Sequence, residues 1–321
     1  TKSVSKTHSS LGSKIIIAGG TGFLGQLLAA SFLKDGYDVV ILSRGSFPMP
    51  KYGRIVCWDG KSLSKWTDQL EGAKVLVNLT GRSIDCRHTS SNKNEIIESR
   101  LKSTRVLGKA VLSCNKPPSV WLNASSMALY GQCLGNACAH DENSPIREDG
   151  FLEEVTVSWE DEFHKFTKDG VRQIALRISF ILGVASGAFP LLKRLSSLGL
   201  GGKQGTGAQW MSWLHQDDWV GIVRFLCAQE CISGPVNVTA PNPVLNKEFM
   251  KVLRGIVGPF GIGLPAPSFG VKVGCQLLGS APELALQSRR VISSVLKSRG
   301  YEFKYPDLYD ALSDLSEKSS H

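Results

Sequence analysis

Six short runs in the first 180 residues are apolar almost throughout, with longer stretches of mixed polarity between them. KIIIA (14–18), DVVIL (38–42), RIVCW (54–58), KVLVNL (74–79), SVWLNA (119–124) and RQIALRI (172–178) are rich in β-branched residues and short enough to be strands. Runs apolar at successive positions, rather than alternate ones, belong to strands buried on both faces. Between the first two, Leu24, Leu27, Leu28 and Phe32 recur at spacings of three and four. That period predicts a helix, stopped by Asp35-Gly36. A longer helix is expected over 93–113, with Ile97, Leu101, Thr104, Gly108 and Val111 along one side. Strands alternating with helices predict an α/β fold, a Rossmann-type, doubly wound parallel sheet with helices on both faces.

Beyond residue 180 the rhythm changes. Glycines gather in GLGGKQGTG (199–207) and prolines in GPFGIGLPAP (258–267). Three regions are therefore expected: a disordered tail over 1–13, a cofactor-binding domain over 14–182, and a smaller, irregular substrate lobe over 183–321 that returns some segments to the sheet. The glycine-rich stretch is expected to form a mobile loop over the substrate, offering Lys203 and Gln204. Asn246, ahead of KEFMKVL, reads as a helix N-cap.

The first strand runs straight into GGTGFLG and the first helix, placing Gly19, Gly22 and Gly25 three apart. Glycine suits a tight turn, a close approach of backbone to pyrophosphate, and a close helix–sheet contact. The free N–H groups of the helix N-terminus then hold the anion. The expected cofactor residues here are Gly19, Thr21, Gly22, Phe23, Leu24 and Gly25. After the second strand an NAD site would carry a carboxylate for the ribose hydroxyl; this chain has Ser43-Arg44, and a guanidinium suits a 2′-phosphate. NADP(H) is the cofactor expected, with Leu79, Thr80, Gly81 and Arg82 completing its site after the fourth strand.

Composition narrows the partners. A net charge of +9 would suit nucleic acid, but the basic residues are dispersed and no nucleic-acid motif accompanies them. No apolar run is long enough to cross a bilayer and no secretory leader is apparent. Neither nucleic acid nor membrane is an expected partner; a small molecule is, and a homodimer is compatible with such a chain. The cytoplasm is the expected compartment, with mitochondrion or plastid open because of the basic first residues. The eight cysteines contain no CxxC pair and read as free thiols. Cys133, Cys138 and His140 fit no standard zinc spacing, so no metal is expected. The sequons at Asn78, Asn123 and Asn237 each overlap a strand end and are discounted.

GGTGFLG, the Ser-Arg pair, NLTG (78–81) and SSMALYG (125–131) together resemble the extended short-chain dehydrogenase/reductases. SWLHQDD (212–218), GPVNVTAPNPVLNKEF (234–249) and SRGYEFKYPDLYDAL (298–312) are similar to its atypical, epimerase-like branch, the nucleoside-diphosphate-sugar-epimerase type. The resemblance runs from residue 14 to about 313. It implies that Ser126 is the catalytic serine and that His215 and Asp218 help close the substrate lobe onto the sheet.

The resemblance also implies a Tyr-x-x-x-Lys pair about 25 residues after the serine, and this chain has none: Leu152 and Thr156 fill the two places. A proton donor must then come from elsewhere, and Tyr130 and Glu160 are the candidates, although relatives often keep a structural glutamate at the latter position. His88, Arg82 and Arg87 in GRSIDCRHT (81–89) are further groups for an anionic or sugar substrate, and Arg100 falls where it could face the pocket. Two functions are therefore expected. The first is an atypical NADP(H)-dependent oxidoreductase or epimerase acting on a small hydroxyl or carbonyl compound, a nucleotide-sugar-like one included. The alternative is a non-catalytic NADP(H)-binding sensor or regulator.

Overall fold

A computed structural model of the protein describes residues 12–45, 50–135, 139–148, 150–185, 187–258 and 261–319. The tail expected over 1–13 lies outside them except for its last two residues, and Cys138 lies outside them too.

All six expected strands form: β1 (Lys14–Ala18), β2 (Asp38–Ser43), β3 (Arg54–Cys57), β4 (Ala73–Asn78), β5 (Val120–Ser126) and β6 (Arg172–Ile178). Two short strands, β7 (Phe180–Leu182) and β9 (Trp213–His215), pair with each other, and β8 (Trp210–Met211) pairs with β11 (Val244–Leu245). The remaining strand, β10 (Gly234–Val238), comes from the second half and closes one edge of the main sheet. That sheet has seven strands in the order β3-β2-β1-β4-β5-β6-β10, and every pairing is parallel.

The continuous apolar runs have the cause inferred from them. Ile15, Ile17, Val39, Ile41, Val75, Val77, Val120 and Leu122 face one buried layer, and Ile16, Ala18, Val40, Leu42, Leu76 and Trp121 face the other. The first layer takes Leu28 and Phe32 from α1 (Phe23–Lys34), with Trp219, Ile222, Val223 and Leu226 from α5 (Gln216–Ala228). The second takes Val106, Leu107, Ala110 and Val111 from α2 (Ser90–Ser113) and Phe163 from α3 (Phe151–His164). Burying so much apolar surface on both sides stabilises the sheet at roughly 25 cal/mol per Å².

Helix α2 departs from its prediction at both its start and its face. It begins at Ser90, three residues early, because the Thr89 hydroxyl accepts the Asn92 N–H and caps the helix. Its buried side carries Ile96, Ser103, Leu107 and Ala110 beside Thr104, Gly108 and Val111, while Ile97 and Leu101 are only half-buried.

The second half adds α4 (Phe189–Ser197), α6 (Asn246–Val257), α7 (Ser268–Leu278), α8 (Pro282–Leu286), α9 (Ser294–Ser298) and α10 (Leu308–Lys318). Two expectations are corrected here. Leu245, not Asn246, precedes the first turn of α6; the Asn246 amide instead accepts the Gln204 N–H at 2.8 Å and donates to the Gln204 side chain at 3.1 Å. The glycine-rich loop is accordingly stitched down rather than loose. Gly202 and Gly205 donate to the carbonyls of Leu264 and Ala266, and Lys203 and Gln204 line neither of the cavities described below. Among the described residues no helix is long and apolar enough to cross a membrane.

Candidate functional site

The carboxyl ends of β1, β2, β3 and β4 open on a cleft of about 880 Å³. At its centre lies the β1–α1 turn. Gly19 has φ +75°, and a side chain there would strike the Leu79 backbone at 2.9 Å. A Cβ on Gly25 would lie 2.5 Å from the Gly20 Cα, so helix and loop could not close together. Around Gly22 there is open space, with only the Gly19 carbonyl within 4 Å of a hypothetical Cβ. Helix α1 has no side-chain cap, and among the described residues the N–H groups of Phe23, Leu24 and Gly25 meet no acceptor. Unsatisfied donors at a helix N-terminus, approached by glycine backbone, suit a phosphate group.

Of the residues expected to hold cofactor, Gly19, Thr21, Gly22, Ser43, Arg44, Leu79, Thr80, Gly81 and Arg82 line this cleft. Phe23, Leu24 and Gly25 are not among its lining residues and form the first turn of α1. The Ser43 hydroxyl accepts the Gly45 N–H at 3.4 Å, and Arg44 is exposed with no carboxylate partner among the described residues. Arg82 pairs with Glu95 and donates to Asn92. Sequence reasoning missed Trp58, Asp59, Gly60 and Lys61, which follow β3 and line the same cleft. Their signal was positional: ligands in open α/β sheets sit beyond the carboxyl ends of the strands, and WDGK follows one directly.

The three sequon asparagines, on β4, β5 and β10, are buried and committed. Asn78 donates to Thr104 at 3.1 Å and to Asn123 at 2.6 Å, and its carbonyl oxygen accepts the Thr80 N–H. Asn237 accepts from Tyr130 at 2.8 Å and donates to the Ile292 carbonyl. None of the three is accessible to a glycan.

The catalytic candidates separate. Ser126 ends β5 half-buried, its hydroxyl accepting the Ala128 N–H at 3.1 Å and keeping its own proton to donate. Tyr130 and Glu160 leave the candidate set. Tyr130 has no exposed surface; its hydroxyl donates to Asn237 and accepts from Arg177 at 2.8 Å, and burial raises its pKa. Glu160 is clamped by Arg177 through two bonds of 3.0 and 2.8 Å and also accepts from Ser125. Burial by itself would lower the Arg177 pKa, but the bonds to Glu160 hold it above the usual guanidinium value. A hydroxyl and a carboxylate so fully bonded have nothing to offer a substrate.

A second cavity, of about 670 Å³, lies where Leu152 fills the missing tyrosine's place. Leu152, Phe151 and Glu153 line it, with His88, Lys93 and Arg147 around them and Glu283 and Gln287 from the C-terminal lobe. Glu153 is neutralised by Arg289 at 2.9 Å. The His88 ring packs edge-on against Phe151, and its Nε2 is 3.0 Å from the Ile84 carbonyl. A neutral ring bonded this way carries its proton on Nε2 and leaves Nδ1 open. The segment from β4 to α2 serves both spaces: Leu79–Ser83 lines the first and His88 the second. Arg87 and Asp85 tie the same segment to Gln276 and Ser280, fixing the lobe beside it.

His215 lies far from this chemistry and is wholly buried. Its Nδ1 accepts the Asp217 N–H at 3.0 Å, capping α5, and its Nε2 faces Asp314 at 3.0 Å. His215, Asp217 and Asp314 come close enough to suggest a metal, but Lys304 and Lys318 already bind the two carboxylates. Asp218 accepts the N–H groups of Lys304 and Tyr305 at 2.7 and 2.9 Å, fastening the closing segment to the lobe.

The parallel sheet, its order and the glycine cradle define a Rossmann-type nucleotide-binding protein of the extended short-chain dehydrogenase/reductase type. The chain belongs to the NAD dependent epimerase/dehydratase family, whose model matches residues 15–238; residues 266–315 match a domain of unknown function, DUF1731. It is 33% identical over 303 residues to the epimerase family protein YfhF of Bacillus subtilis, covering 94% of this chain and 97% of that one. It is also 33% identical over 309 residues to a chloroplastic SDR39U1 homologue of Arabidopsis thaliana, covering 93% and 85%. The crystal structure of human SDR39U1 with NADPH superposes with a TM-score of 0.82 at 28% identity, over 95% of this chain and 99% of that one.

Proposed function

We propose that the protein binds NADP(H) across the carboxyl edge of the sheet and carries out redox or epimerase chemistry on a small hydroxyl or carbonyl compound in the second cavity. The observation that carries this reading is the pairing of an uncapped α1 N-terminus with Ser43-Arg44, where a carboxylate would favour NAD. The NADPH in the human relative's structure supports the same choice. The first turn of α1 would hold the pyrophosphate, and Arg44, with Lys61 in the same cleft, the 2′-phosphate. The bound nicotinamide would supply hydride exchange with a carbon of the substrate. Ser126 lines neither cavity, but as the half-buried end of β5 it would donate a hydrogen bond to the substrate oxygen, and His88 would hold or release the accompanying proton through Nδ1.

The alternative, a cofactor-binding sensor without turnover, draws support from the burial of Tyr130 and from Leu152 and Thr156 in the catalytic pair's place. Both readings require NADP(H). The test is calorimetric titration with NADPH and NADH. NADPH is expected to bind at least about tenfold more tightly, and Arg44→Ala to remove most of that preference, the scale of one charge-assisted contact. Equal affinities in the wild type, or tighter NADH, would overturn the assignment.

A further inference from the structure

Arg100 stands one residue's thickness from the cofactor cleft. Its guanidinium lies under Gly81, close enough that a Cβ there would sit 3.0 Å from Cζ, and Gly81 lines the cleft. One nitrogen, Nη1, donates to the carbonyls of Arg82 at 3.0 Å and Ile96 at 2.9 Å. The Cζ rests 4.9 Å from the centre of the Trp159 ring. Nε and Nη2 have no protein acceptor among the described residues, and no carboxylate pairs with the group. Burial without a compensating anion lowers its pKa to about 10, which still leaves it charged at neutral pH.

A half-buried cation without a counter-ion carries a desolvation cost. Its position suggests what offsets the cost. Trp159, on which it stacks, is one turn along α3 from Thr156, the residue in the missing lysine's place. The sheet order puts β2 and β3 on one side of β1 and β4 and β5 on the other. A dinucleotide with its adenylate end at Ser43-Arg44 and its pyrophosphate at α1 therefore continues over the exit of β4, above Gly81.

We propose that Arg100 supplies, from helix α2, the fixed positive charge beside the nicotinamide end of the cofactor that the missing lysine of α3 would otherwise supply. The charge orients the nicotinamide ribose through the Gly81–Arg82 backbone. It also disfavours the oxidised nicotinamide, which is cationic, relative to the neutral reduced ring. This inference rests on the cleft holding NADP(H).

The test compares three ligands, NADPH, NADP+ and 2′,5′-ADP, on the full chain. The wild type is expected to bind NADPH about five- to tenfold more tightly than NADP+, the scale of one nearby charge at intermediate dielectric. Arg100→Met should collapse that ratio towards one while leaving 2′,5′-ADP, which lacks the nicotinamide half, within about twofold of wild type. Arg100→Lys should keep most of the ratio, and Arg100→Gln is a second uncharged variant should the methionine chain fail to fold. A merely structural role would shift all three ligands together. The proposal is overturned if the wild type does not discriminate NADPH from NADP+, or if a folded uncharged variant keeps the wild-type ratio. Failure of the wild type to bind 2′,5′-ADP would instead sink the NADP(H) reading itself.

Discussion

Glu160 is the middle of a buried chain of polar groups: Ser125 donates to it, Arg177 clamps it, and Arg177 in turn donates to Tyr130, which donates to Asn237. These residues come from β5, α3, β6, the turn after β5, and β10, so the chain ties both halves of the protein to one edge of the sheet. Removing the carboxylate strands Arg177 in the core with its charge uncompensated. Glu160→Ala is therefore expected to cost about 3–5 kcal/mol of stability, read from urea unfolding, because a broken buried pair leaves a buried charge behind. A loss below about 1 kcal/mol, the worth of a surface pair, would show that Arg177 finds another partner. The sequence offered Tyr130 and Glu160 as catalysts because each lies near Ser126 or the missing pair along the chain. What removes them is Arg177, 47 and 17 residues further on, and no local pattern announces that contact.

At the scale of elements, α5 begins on His215 and is locked to α10 through Asp314, Asp217 and Lys318. Burial lowers the His215 pKa, although Asp217 and Asp314 oppose that shift. The unfolded chain, with an imidazole near pH 6.5, then binds more protons than the folded one as the pH falls, so folding stability is present above that value and declines below it. His215→Asn keeps an acceptor for the Asp217 N–H and removes the titration. Thermal unfolding between pH 7 and 5 should show a shallower loss for the variant than for the wild type; His140, also lowered by burial, keeps some slope in both. Identical slopes would mean that His215 does not titrate in this range. The elements around the sheet were the legible ones. Strands β1, β2, β4, β5 and β6 announced themselves because burial on both faces leaves little choice of residue, β3 only as a short apolar run on the exposed edge of the sheet, and α1 because its period and its Asp-Gly stop are local. The start of α2 was missed because its cap, Thr89, lies in a polar loop where one more threonine means little.

For the whole molecule, the division into sheet and lobe is crossed by connections that a linear reading could not place. β10 leaves the second half to complete the sheet, and Glu142 accepts from Asn237 in that strand and from Ser293 and Ser294 at the start of α9. Such contacts span 95 residues or more and depend on the three-dimensional route of the chain. The candidate site divides the same way. Its phosphate end was legible because glycine, strand and helix are consecutive. The second cavity was not, since His88, Arg147, Leu152 and Glu283 meet only after folding. The account as a whole depends on one cofactor lying across both spaces. A crystal structure of the protein with NADPH tests that most directly. The account predicts the pyrophosphate on the first turn of α1, the 2′-phosphate at Ser43-Arg44, and the nicotinamide C4 open to the cavity of His88 with Ser126 within reach. A nicotinamide turned out of the cleft, or a C4 surrounded only by aliphatic side chains, would contradict it.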